Sequence, residues 1–169
     1  MIQELEDFYT LLREQRNTQQ ELLDLSYEKK QTIISNNTQR LNEIVQQEMK
    51  LLSTINSVEK RRAKALPKLS KNMNVPENSI TLNTIIEHTA GEIRKRFILL
   101  KKEMNALLKT QVEINDLNQE LLKTHIDYTN TMLDLIVGAE DPLNNLYGGD
   151  GKAPEKAARK NAGLFDKQI

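Results

Sequence analysis

Between Ile93 and Leu135 apolar residues recur at alternating steps of three and four: Ile93, Phe97, Leu100, Met104, Leu107, Ile114, Leu121, Tyr128, Met132 and Leu135. Gln111, Asn118 and His125 fill the intervening positions of the same series. That spacing predicts one long helix with a single apolar seam, made to lie against another helix. The pattern holds from Glu92 to Val137, ~69 Å of helix at 1.5 Å per residue, with a bend or break expected where polar residues crowd at 115–118. Past Leu121 the apolar face widens to take in Leu122, Ile126, Leu133 and Ile136, more than one seam can bury.

The first 66 residues contain neither proline nor glycine, as two unbroken helices require. The first carries Ile2, Leu5, Phe8, Leu12, Leu22, Leu23 and Ile33, with Gln15, Gln19 and Ser26 at intervening seam positions. Ser35-Asn36-Asn37 breaks the pattern, and Asn36 stands at capping-box spacing from Gln39. A second seam then runs Leu41, Ile44, Glu48, Leu51, Ile55, Val58, Arg62, Ala65 and Leu69, so the two helices form an antiparallel hairpin. Pro67 and Pro76 bracket a polar stretch that reads as a loop. Ser79 is a candidate cap for a short helix through Ile80, Leu82, Ile85 and Ile86, ending near Gly91. From Gly138 onward the period is lost, and residues 138–169 hold five of the six glycines. The expected division is a helical domain over residues 1–137 and a flexible tail over 138–169.

Composition narrows the class further. Three Phe, four Tyr and no Trp argue against a broad globular core and for an all-α, elongated antiparallel bundle of three long helices plus a short one. The absence of cysteine removes disulfides, thiolate catalysis and zinc–thiolate sites together. No run approaches the ~20 apolar residues of a membrane span, and the acidic, interrupted start resembles no secretory signal. A cytoplasmic protein without membrane insertion is expected.

Catalytic chemistry finds few residues to use. A triad would rest on His88 or His125, and the residues three before them, Ile85 and Leu122, exclude the Glu-x-x-His pattern of di-iron bundles. No glycine-rich phosphate loop or Gly-x-Ser-x-Gly turn occurs. No enzyme, metal or cofactor is expected. Gln111, Asn118 and His125, one heptad apart, are a polar row that sets register at some cost in stability, so Asn118→Leu is expected to raise thermal stability. Lys60-Arg61-Arg62-Ala63-Lys64, with Lys68 and Lys71, is the one basic cluster. It sits near the expected end of a helix and opposite the acid-rich first 35 residues, which assigns it to the helix dipole and to ion pairs, not to nucleic acid.

Three segments together resemble the FlgN family of flagellar type III export chaperones. They are the hairpin from Leu22-Leu23-Asp24-Leu25-Ser26-Tyr27-Glu28-Lys29-Lys30-Gln31 to Asn37, the segment Asn115-Asp116-Leu117-Asn118-Gln119-Glu120-Leu121-Leu122, and the tail motif Leu146-Tyr147-Gly148-Gly149-Asp150-Gly151. The resemblance runs nearly end to end, with a longer linker around 67–78 and no counterpart beyond Lys152. It implies a cytoplasmic chaperone that binds the C-terminal amphipathic helix of hook-filament junction proteins of the FlgK and FlgL types and prevents their premature association. It further implies delivery to the cytoplasmic domain of an FlhA-type export gate, through Tyr147 with Gly148 and Gly151. The widened face supplies the candidate cargo contacts: Leu121, Leu122, Ile126, Tyr128, Met132, Leu133 and Ile136. The alternative is a structural coiled-coil scaffold or adaptor whose long helix makes a homodimer.

Overall fold

The computed structural model describes the backbone of residues 2–139 and the side chains of residues 2–136. Among them four α-helices follow one another: α1 (Ile2–Ile34), α2 (Thr38–Met73), α3 (Leu82–Glu87) and α4 (Gly91–Ala139), with a single 3-10 turn at Glu77–Ser79. No strand occurs among the described residues. The chain divides into two units, Met1–Asp127 and Tyr128–Ile169. The first holds the bundle, and the described part of the second is the last turns of α4.

The turn between α1 and α2 uses two adjacent asparagines for two tasks. Asn36 takes the left-handed conformation (φ 53°), and the N–H groups of Asn36 and Asn37 return to the carbonyls of Ile33 and Thr32 at 3.0 and 3.1 Å. The Asn37 side chain then accepts the Arg40 N–H at 3.0 Å and caps α2. The expected cap at Asn36 is therefore one residue early. Asn36 must first close α1 in the left-handed region, a backbone that asparagine adopts more readily than most side chains.

α2 returns antiparallel along α1. Lys29 meets Glu48 at 2.8 Å, Arg40 meets Glu28 at 2.6 Å, and Arg61 donates to both carboxylate oxygens of Glu14 at 2.8 Å. Ile44, Val58 and Leu69 are fully buried along the expected seam. The helix does not stop at Pro67 but continues to Met73, correcting the expected loop. A proline inside a helix costs about 3 kcal/mol, while burying an apolar side chain returns roughly 1.5–3 kcal/mol. Leu69 and Met73, both buried beyond the proline, outweigh it. Asn74 ends the helix in the left-handed region, with its N–H on the Ser70 carbonyl. The basic cluster thus lies within the helix and not at its end, and Glu14 of α1 holds Arg61 while Glu59 holds Arg62. Only Lys71 falls in the last turn.

The link to α4 folds over one end of the hairpin. Thr81, not Ser79, caps α3 in a reciprocal capping box with Thr84, and Ser79 belongs to the 3-10 turn. α3 drives Ile85 into the cluster of Leu5, Phe8, Leu12, Leu69, Met73, Phe97, Leu100 and Met104. α4 then runs parallel to α1, its contacts advancing in step. Arg96 pairs with Glu6 at 2.6 Å and lies over the Tyr9 ring at 4.1 Å. Tyr9 meets Phe97 edge-on, with centroids 5.4 Å apart. Further along, Arg16 pairs with Glu103 at 2.8 Å. The Glu6 carboxylate first, and Tyr9 next, hold the Arg96 guanidinium above its ordinary pKa. α4 is continuous through residues 115–118, where a break was expected, because Ile114 and Asn118 are both buried against the bundle.

Candidate functional site

Where α3 caps the bundle, the three long helices close on one another around Phe97. Farther along, a groove opens in which all three take part. Leu22, Ser26 and Lys29 of α1 form its base, Glu48 and Leu52 of α2 one wall, and Gln111, Asn115, Asn118, Gln119 and Leu122 of α4 the other. Its volume is about 290 Å³. A larger hollow of about 410 Å³ lies on the hairpin alone, lined by Leu25 and Leu51 with Glu21, Asp24, Glu28, Gln47 and Lys50, and has no contribution from α4. The groove is the better candidate, since all three long helices line it and the buried Ser26 and Asn118 lie at it.

That base is built around Ser26, which is fully buried. A side chain this small lets α4 approach α1, and its polar atoms are shared in a fixed pattern. Its hydroxyl donates to the Leu22 carbonyl at 2.9 Å. Its Oγ accepts from Gln111 Nε2 at 2.7 Å, and its backbone carbonyl accepts from Asn118 Nδ2 at 2.8 Å. Gln111 Nε2 also donates to Asn115 Oδ1 at 2.9 Å. Two members of the expected polar row therefore meet one residue of α1, which fixes the register of α4 on α1. Thr18 and Thr32, also buried on α1, place their hydroxyls on the carbonyls four residues earlier and cost the core no orphaned group.

Of the candidate cargo residues in the first unit, Leu122 lines the groove, Leu121 is half-buried on the seam, and Ile126 is exposed. In the second unit Tyr128, Met132, Leu133 and Ile136 are all exposed, Leu133 at 53 %. Tyr147, Gly148 and Gly151 lie outside the described residues. The pattern along the chain did not single out Leu52, and it assigned Leu22 to the α1 seam and not to a groove. The available signal was the apolar doublets Leu51-Leu52 and Leu22-Leu23, where one leucine of each suffices for the seam. No helix among the described residues is long and apolar enough to cross a membrane.

The family model described as FlgN protein matches residues 1–155. The chain is also 25 % identical over 145 residues to the uncharacterized protein YvyG of Bacillus subtilis (strain 168), covering 86 % of each chain. No solved structure matches. Because the family match takes in all three long helices and the groove between them, the chain belongs to the FlgN family of flagellar export chaperones.

Proposed function

We propose that this protein holds the C-terminal amphipathic helix of a hook-filament junction protein, of the FlgK or FlgL type, in the groove between α2 and α4. Proteins of the family bind flagellar hook-associated proteins, and the groove supplies a physical means of doing so. Leu22, Leu52 and Leu122 line a concavity of about 290 Å³, room for a few apolar side chains of a docked helix. Leu121 and Ile126 extend that surface, while the exposed Tyr128, Met132, Leu133 and Ile136 of the second unit give the client a further set of apolar contacts. Burying the client's helix keeps it from its own kind in the cytoplasm. Tyr147, with Gly148 and Gly151, then docks the loaded chaperone to an FlhA-type export gate, as an aromatic anchor does on ordering.

The observation that carries the proposal is the groove to which all three long helices contribute. Calorimetric titration with the C-terminal segment of a FlgK-type protein tests it. Binding is expected at about micromolar Kd, near −8 kcal/mol, with the negative heat-capacity change of apolar burial. Leu52→Glu and Leu122→Glu should each weaken binding while far-UV helicity is kept. Absence of heat at several temperatures from a folded protein, or sedimentation as a dimer with the same groove buried, would instead support a coiled-coil scaffold. Tyr147→Ala should keep client affinity and weaken association with the gate domain; unchanged gate affinity would dismiss the tail's part.

A further inference from the structure

We propose that the solvent face of α2 is an electrostatic docking surface for an anionic lipid bilayer, carried by Lys60, Lys64, Lys68 and Lys71. This goes beyond the chaperone function proposed above and does not depend on it.

Steps of four, four and three residues put these lysines in one row along α2. All four are exposed. The row is ~16 Å long at 1.5 Å per residue. Toward the start of the helix it continues through the exposed Ser57 and Ser53 to Lys50 and meets no acid. Ile44, Val58, Leu69 and Met73, the buried residues of α2, occupy the opposite side.

The basic cluster, expected to serve ion pairs and the helix dipole, is divided in its use. Arg61 pairs with Glu14 and Arg62 with Glu59, which satisfies both arginines and both acids. Lys71 alone lies in the last turn. None of the four lysines makes an ion pair or hydrogen bond among the described residues. Residues 60–71 contain no acid, so this stretch presents four uncompensated positive charges. The exposed acids Glu21 and Asp24 of α1 border the hollow beside Lys50. Because Glu14 is level with Arg61, they stand about two and three turns nearer the hairpin's turn than the row does. Asp7 is the one exposed acid of α1 level with the row, against four lysines.

What such a row recognises follows from what it lacks. Specific protein interfaces are anchored by tryptophan, tyrosine and arginine, and lysine is depleted there. Single-stranded nucleic acid is held by aromatic rings on which bases stack, and the row has none. Four compact charges on flexible stems suit a plane of negative headgroups, which they can meet in many registers. A helix lying flat on that plane brings all four within a Debye length of it together. Glu48 and Leu52, which line the groove, fall outside the row, so the client's seat stays open on a bound chaperone.

The test is co-sedimentation of the full chain with vesicles of phosphatidylglycerol and phosphatidylcholine in equal parts, against phosphatidylcholine alone. Binding is expected to the anionic vesicles only, and to vanish as salt approaches about 1 M, where the Debye length is ~3 Å. Near an anionic surface each lysine strengthens binding about fivefold, so combining Lys60→Gln, Lys64→Gln and Lys68→Gln should weaken it roughly a hundredfold. Lys102, Lys109 and Lys123 of α4 are exposed too, but share their side of the helix with Glu113, Asp116 and Glu120. Changing those three to Gln removes the same charge and should weaken binding by less than about threefold. Far-UV helicity checks that both triple variants are folded. If both lose binding alike, overall charge and not this row is responsible, and the proposal is overturned. Absence of binding to anionic vesicles at low salt overturns it too, as does capture by duplex DNA or polyglutamate of a protein that ignores vesicles.

Discussion

Ser26 and Asn118 show how much rests on single atoms. Replacing Asn118 by leucine removes one hydrogen bond, worth about 1 kcal/mol net, and also removes a buried acceptor whose desolvation costs roughly 1–3 kcal/mol. The Ser26 carbonyl keeps its place in the α1 ladder. Asn118→Leu should therefore raise the midpoint of thermal unfolding, and a fall in the midpoint would mean the amide contributes more than its one visible bond. Phe97, 1 % exposed at the centre of the cluster, gives the opposite case. Phe97→Ala should cost about 3–5 kcal/mol in urea unfolding. The polar row was legible in the seven-residue spacing of Gln111, Asn118 and His125, and Ser26 stood out as a polar seam position. That one serine would receive both amides was not, because the register of α4 on α1 is a tertiary quantity no local spacing contains.

At the scale of elements, the seams of α1, α2 and α4 were legible because each repeats over many turns. The errors fell where local chemistry is ambiguous by a residue or is overridden. Two asparagines in succession offer the same cap at two positions, and the need to end α1 first decided between them. Ser79 and Thr81 posed the same choice, and the reciprocal bond with Thr84 favoured Thr81. Pro67 is the case of override, since Leu69 and Met73 carry the helix past it. Pro67→Ala should accordingly stabilise the fold, by up to about 3 kcal/mol, read as a higher urea midpoint at unchanged m-value. A loss of stability would show that the local geometry at the proline is itself needed for the packing of Met73.

For the molecule as a whole, the decisive fact is that α4 lies parallel to α1, so the chain must cross the end of its own hairpin before α4 begins. Glu6 and Arg96, which pair across that crossing, are 90 residues apart in sequence, whereas Lys29 and Glu48 are only 19 apart. Closing the shorter loop is entropically cheaper and is rewarded sooner. The hairpin should then assemble early and α4 late. In a chevron experiment Ile44→Ala should chiefly slow folding, whereas Leu100→Ala should chiefly speed unfolding. The reverse partition would place α4 in the nucleus. During synthesis the consequence is a matter of timing. When α1 and α2 have left the ribosome and α4 has not, the faces of Leu5, Phe8, Leu12 and Leu69 stand open to any amphipathic helix nearby, and the chain's own α4 is the first such helix to arrive. A nascent chaperone of this design is, for the seconds before its last helix emerges, itself a client awaiting a partner.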